Sequence, residues 1–236
     1  MSDIYGFDPT YGYTFKQLLQ IKPPREPAGF DAFWQQRYQN ALKLQSVPQI
    51  KDTGKNHAGW RIFDVSYIST QQFTIRGWLL LPESGVIKRG FIIGHGYGGR
   101  DVADFNLPFK DAALLFPCFR GLSLSHHHKI STEPKWHVLH NIDTLDRYII
   151  GGCVEDIWLG VTALLRLFPE LSGHLGYLGI SFGGGQLLSA AILHWTLERT
   201  VRDGGVSFPR TGETYPGFDI CKLCSFLVFK KPKKGE

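Results

Sequence analysis

No stretch of this sequence approaches the ~20 consecutive apolar residues that a membrane-spanning helix requires. The opening "MSDIYGFDPTYGY" has neither a basic n-region nor an apolar h-region, so it does not read as a secretory signal. Cysteine is scarce. Cys118, Cys153, Cys221 and Cys224 are too few for a disulfide framework and fit reduced thiols. Cys221 and Cys224 make a single C-x-x-C, and zinc sites of that kind use a second pair that this sequence lacks. A cytoplasmic protein with no metal, no cofactor and no membrane association is therefore expected. Basic charge is also thin outside one place. The net charge is +5, but the terminal "KKPKKGE" holds four lysines and one glutamate, +3 of that total. No basic stripe interleaved with aromatics occurs elsewhere, so nucleic acid is not an expected partner.

What is present is an ordinary globular balance, 43% hydrophobic and 20% charged over 236 residues, enough for one large domain. Residues 1–26 are rich in aromatics and proline and read as an N-terminal arm. Phe30, Phe33, Trp34, Tyr38, Ala41 and Leu42 recur at helical spacing, which predicts an amphipathic helix with these side chains in the core. "RIFDVSYI" (61–68) alternates as a strand with one wet face. "IRGWLLLP" (75–82) reads as a strand covered on both faces and closed by Pro82. "GFIIGHGYGG" (90–99) is a short buried strand running into a glycine-rich loop, and "PCFRG" (117–121) a further short strand. Val154, Ile157, Val161, Leu164, Leu165 and Phe168 mark a helix, "HLGYLGI" (174–180) a strand, and "GGGQLLSAAIL" (183–193) a second helix. After His194 the pattern is lost, and only "CSFLVF" (224–229) reads as a strand. Antiparallel strands followed by strand–helix alternation predict an α/β sheet with helices on its faces.

The stretch with chemical content is "GYLGISFGGG". Gly179-Ile180-Ser181-Phe182-Gly183 is a G-x-S-x-G between a strand and a helix, the pattern of a nucleophile elbow. Glycine is needed there because side chains flanking the serine would collide with the adjoining strand and helix. The helix that follows places partial positive charge beneath the serine. Acyl transfer also needs N–H donors aimed at the developing oxyanion. One donor comes from the residue after the nucleophile, Phe182. The other comes from a loop after an earlier strand, and "HGYGG" (95–99) is such a loop, with Tyr97 as the donor.

With these motifs in place, the chain resembles the acetyl xylan esterase/cephalosporin-C deacetylase family of α/β-hydrolases. The resemblance is carried by "FDAFWQQRYQNAL", "VSYISTQQFTIRGWLLLP", "GHGYGG", "FRGLSLS", "VLHNIDTLDRYIIGGCVEDIWLGVTAL" and "GISFGGG", over residues ~27 to ~191. It implies a mostly parallel sheet with flanking helices and removal of acetyl groups from esterified sugars or related small alcohols. It also implies Ser181 as catalytic nucleophile, Tyr97 and Phe182 at the oxyanion site, and a homo-oligomer.

A serine hydroxyl is a weak nucleophile until a base accepts its proton. In α/β-hydrolases the chain order is serine, then acid, then histidine. The one histidine after Ser181 is His194, and no Asp or Glu stands between them. A helix starting at the elbow would also carry His194 nearly 20 Å away, at about 1.5 Å per residue. His95 is expected to brace the oxyanion loop. His126, His127 and His128 are expected on a surface loop, and His137 and His140 at positions outside any triad. The family continues well beyond the matching elements. The expectation is therefore an incomplete α/β-hydrolase domain over 27–193, the C-terminal part of the fold missing, and an atypical tail over 194–236 from a shifted reading frame or altered end. Catalysis would be impaired, or replaced by a binding role.

Overall fold

The computed structural model describes residues 8, 10–22, 25 and 27–186, together with the backbone of a strand at 224–230. The arm contains a single helical turn, α1 (Phe15–Leu18), closed by a capping box in which Thr14 and Gln17 satisfy each other's backbone N–H groups. Helix α2 (Phe30–Leu42) follows the left-handed Gly29. Its stripe packs largely as expected: Ala41 is buried, and Trp34 and Tyr38 pack on the core. Leu42 does not join them and lies 47% exposed. The buried position that the stripe omits is Arg37, drawn inward by a carboxylate described below.

Seven strands form one sheet: β1 (Gln49–His57), β2 (Trp60–Ile68), β3 (Thr74–Pro82), β4 (Arg89–Gly94), β5 (Ala112–Pro117), β6 (His174–Ile180) and β7 (Cys224–Lys230). Their spatial order is β1-β2-β3-β5-β4-β6-β7. The parallel pairings, β5 with β4 and β4 with β6, sit at the centre; the antiparallel pairings flank them. Strand β5 differs from the expectation. It spans "AALLFP" and ends at Pro117, where 117–121 was expected to be extended. All six of its residues are buried, so the apolar run defines the strand, and the left-handed Gly121 (φ 84°) belongs to the turn beyond it. The strand expected over 224–229 is present and pairs antiparallel with β6. Strand β1 carries no apolar alternation and is exposed at eight of its nine positions, which explains its silence in the sequence.

The two faces of the central strands are both covered, as their continuous apolar runs require. One face bears the long α4 (Ile149–Leu167), which follows the single turn α3 (Pro134–His137) and whose Val154, Ile157, Leu159 and Leu164 pack on Ile92, Leu115 and Tyr177. Among the described residues, the opposite face, built on Phe91, Ile93, Leu114 and Phe116, is covered by the loop 95–111. Ala103 and Leu107 are buried there, and Phe109 stacks on Phe91 with ring centroids 4.1 Å apart. Beyond the elbow the chain is helical over 182–186. His194, Cys221 and the remainder of the helix expected over 183–193 lie outside the described residues, and of Cys224 only the backbone is described. Among the described residues no helix is long and apolar enough to cross a membrane.

Candidate active site

Parallel pairing in register sets Gly94, at the end of β4, beside Gly179, near the end of β6. The loops that leave these two strands therefore begin as neighbours. Ser181 stands at the turn out of β6 with φ 52°, a left-handed conformation that a non-glycine residue adopts only under local constraint. Its side chain is exposed. The constraint can be identified in the flanking glycines. A Cβ on Gly179 would lie 2.4 Å from the Gly183 carbonyl carbon, and one on Gly183 would lie 2.8 Å from the Gly94 carbonyl carbon. Both partners are backbone, so neither can give way. Hydrogen bonds lock the turn: Gly185 N–H donates to Ser181 O, and Gly183 N–H to His95 O, each at 3.0 Å, while the Tyr177 hydroxyl donates to Gly183 O.

The loop after β4 comes close to the serine. A Cβ built on Gly96 would lie 3.7 Å from Ser181 Cβ. Residues 96–99 form a turn closed by Gly99 N–H on Gly96 O. The rings of Tyr97 and Phe182 meet with centroids 4.1 Å apart. Among the described residues, no backbone carbonyl accepts from the amide of Tyr97 or of Phe182. A cleft of about 510 Å³ opens beside the elbow, between Gly94–Gly96 and Gly179–Ile180 on one side and the loop around Arg100 on the other.

Hydrogen bonds assign both buried histidines. His95 Nε2 accepts from Phe119 N–H at 3.0 Å, so its proton is on Nδ1, which donates to Gly96 O at 2.7 Å. Burial pushes this imidazole down to about 4, keeping it neutral. It braces the loop, as expected, and has no ring nitrogen left to act as a base. His137 Nε2 donates to the Arg120 carbonyl at 3.0 Å, and its Nδ1 accepts from the Tyr97 hydroxyl at 3.0 Å. Burial lowers its pKa as well. His126 and His128 are exposed and His127 half-buried on a surface loop. Among the described residues no cluster of His, Cys, Asp or Glu has the arrangement of a metal site.

The Tyr97–His137 bond ends in a buried ionic network that sequence reasoning missed. Arg120 Nη2 donates to Asp156 Oδ1 at 2.6 Å, and the Arg120 amide to Asp156 Oδ2 at 3.0 Å. The same Nη2 reaches Ser69 and Thr70, and the Ser69 hydroxyl donates to Asp156 Oδ1. Thr70 donates in turn to Glu155, which pairs with Arg37 at 2.8 Å. Arg120 and Asp156 are 1% and 0% exposed. Room for the two guanidinium groups comes from Gly151 and Gly152. Added Cβ atoms there would lie 2.9 Å from Arg37 and 2.3 Å from Arg120. The available signal was Glu155-Asp156 in the middle of an otherwise apolar helix, since buried carboxylates must be paired. The network fixes the Arg120 backbone, hence His137, hence the hydroxyl end of Tyr97.

A family model described as acetyl xylan esterase (AXE1) matches residues 14–203. The chain belongs to the acetyl xylan esterase family. The match begins inside the segment read as an arm and runs past residue 191. Among solved structures, the acetyl xylan esterase from Paenibacillus sp. R4 superposes with a TM-score of 0.65 at 19% identity, covering 77% of this chain and 61% of that one. Acetyl xylan esterase 1 from Thermoanaerobacterium sp. JW/SL YS485 gives 0.60 at 16% identity, covering 77% and 60%. At these identities the likeness shows the fold, an α/β-hydrolase sheet with flanking helices. The chain spans about three fifths of the length of these acetyl xylan esterases.

Proposed function

We propose that this chain is a carboxylic ester hydrolase of the acetylesterase type, acting on acetyl esters of sugars or related small alcohols. The observation that carries the reading is the left-handed, exposed Ser181 held against the loop of Tyr97 by backbone contacts. In this mechanism the Ser181 hydroxyl attacks the acetyl carbonyl and the alcohol leaves. The acyl-serine is then released by water. The amides of Tyr97 and Phe182 receive the developing oxyanion, a donor of this kind being worth ~3 kcal/mol in the transition state. The acetyl class is supported by the family description and by the names of the similar structures.

Turnover is proposed to be slow. Both buried imidazoles described above have their two ring nitrogens engaged, so neither can take the serine proton or activate the deacylating water. This observation also favours a second reading, a non-catalytic member of the family that binds a ligand. p-Nitrophenyl acetate separates the two, because its leaving group departs without a general acid. The esterase reading expects a burst of about one equivalent of p-nitrophenolate followed by slow release, with the burst absent in Ser181→Ala. No burst from folded protein would support the binding reading. A burst that survives Ser181→Ala would exclude Ser181 as its source.

A further inference from the structure

A second concavity, of about 260 Å³, lies away from the elbow where the β2–β3 connection meets the loops after β5. Its walls carry five basic side chains: Arg120, His127, Lys129, His140 and Arg147. Among the described residues no carboxylate lines it. The acids nearest in the network, Asp156 and Glu155, sit behind Arg120 and are engaged there and by Ser69, Thr70 and Arg37. The ion pairs of the described residues include neither Lys129 nor Arg147. Both are exposed at the rim. Two amide side chains join them. Gln71 (φ 55°) and Asn141 (φ 54°) are both held in left-handed backbone conformations, a strain concentrated at ligand sites more than elsewhere. The floor is apolar, formed by Phe73 and Ile130, with the Arg120 guanidinium 4.9 Å above the Phe73 ring. Cations, amides and an apolar floor together suit an acid group attached to a compact organic body better than a bare inorganic ion.

We propose that this pocket binds the carboxylate of a small organic acid about the size of one acidic sugar residue. Lys129 and Arg147 clasp the carboxylate, and the ring body rests on Phe73. The site is separate from the elbow and does not depend on Ser181 being catalytic.

Calorimetric titration of the full chain with sodium D-glucuronate, D-glucose and sodium phosphate at equal ionic strength tests it. Glucuronate is expected to bind at least tenfold more tightly than either glucose or phosphate. Lys129→Gln with Arg147→Gln is expected to weaken glucuronate at least tenfold. Both residues are exposed, so unaltered thermal melting is expected for the pair and confirms that they fold. At a tenfold excess over its dissociation constant, glucuronate should raise the wild-type melting temperature by about 3–5 °C. Glucuronate and glucose binding alike, or undiminished glucuronate binding in the double variant, would overturn the site. Phosphate binding as tightly as glucuronate would overturn the organic-acid assignment.

Discussion

Asp156→Ala is expected to destabilise the protein by about 3–5 kcal/mol, a large part of the roughly 5–15 kcal/mol typical of a folded domain. The reason is the charge left behind. Arg120 is 1% exposed, and its contacts to Asp156 through Nε and Nη2 are its close ionic compensation, with Glu155 Oε2 farther off at 3.9 Å. Asp156 also accepts from the Arg120 amide and from Ser69, so one truncation takes an acceptor from four donors, of which Arg120 Nη2 alone keeps others, on Ser69 and Thr70. The melting temperature should fall by roughly 10 °C or more. The double change Arg120→Met with Asp156→Leu removes both charges and should lose less than Asp156→Ala alone, because a buried pair contributes little net stability over an apolar substitute. Urea denaturation of the three proteins decides the matter. A loss below about 1 kcal/mol for Asp156→Ala would mean that Arg120 finds water or another anion. Because Arg120 O holds His137 and His137 holds the Tyr97 hydroxyl, the variant should also loosen the loop facing Ser181.

The second large effect is on pH. His95 has a folded pKa of about 4, depressed by burial, against about 6.5 in an unfolded chain. Between these values the unfolded chain binds a proton that the native protein refuses. Stability is therefore at its full value above about pH 6.5 and falls as the pH drops toward 4, by roughly 3 kcal/mol in total from this group. His137 is shifted in the same direction, again first by burial, and adds to the slope. The structural basis is a donor facing a donor: protonated His95 Nε2 would confront the Phe119 N–H that it now accepts from. Urea titrations at pH 7.5 and pH 5.0 should differ by about 2 kcal/mol from His95 alone. A flat profile over that interval would show that the imidazole ionises freely and that its two hydrogen bonds do not hold.

The elbow and its neighbours were legible for a simple reason. Gly179 and Gly183 are demanded by backbone-to-backbone approach and Gly99 by its left-handed turn (φ 79°), which leave their mark in short local strings. The central strands were legible because Phe91–Ile93 and Leu114–Phe116 are buried on both faces and therefore uninterrupted. Strand β1 was not, since its exposed polar residues gain their conformation from pairing with β2 and from no pattern of their own. Nor was the loop that packs on the second sheet face, which contains Pro108 and carries no periodic stripe. Least visible was the link from Asp156 to Tyr97. Arg120 meets an acid 36 positions away, and His137 a tyrosine 40 positions away, and no local rule encodes such distances.

The account stands or falls on Ser181 as a nucleophile facing the amides of Tyr97 and Phe182. Mass spectrometry after treatment of the folded protein with an alkyl fluorophosphonate tests that most directly, since this strong electrophile reports the nucleophilicity of the serine itself and its fluoride departs without a general acid. The expected result is slow labelling confined to Ser181 and lost in Ser181→Ala. Modification elsewhere that persists in Ser181→Ala, or none at Ser181 while the sheet remains folded, would contradict it.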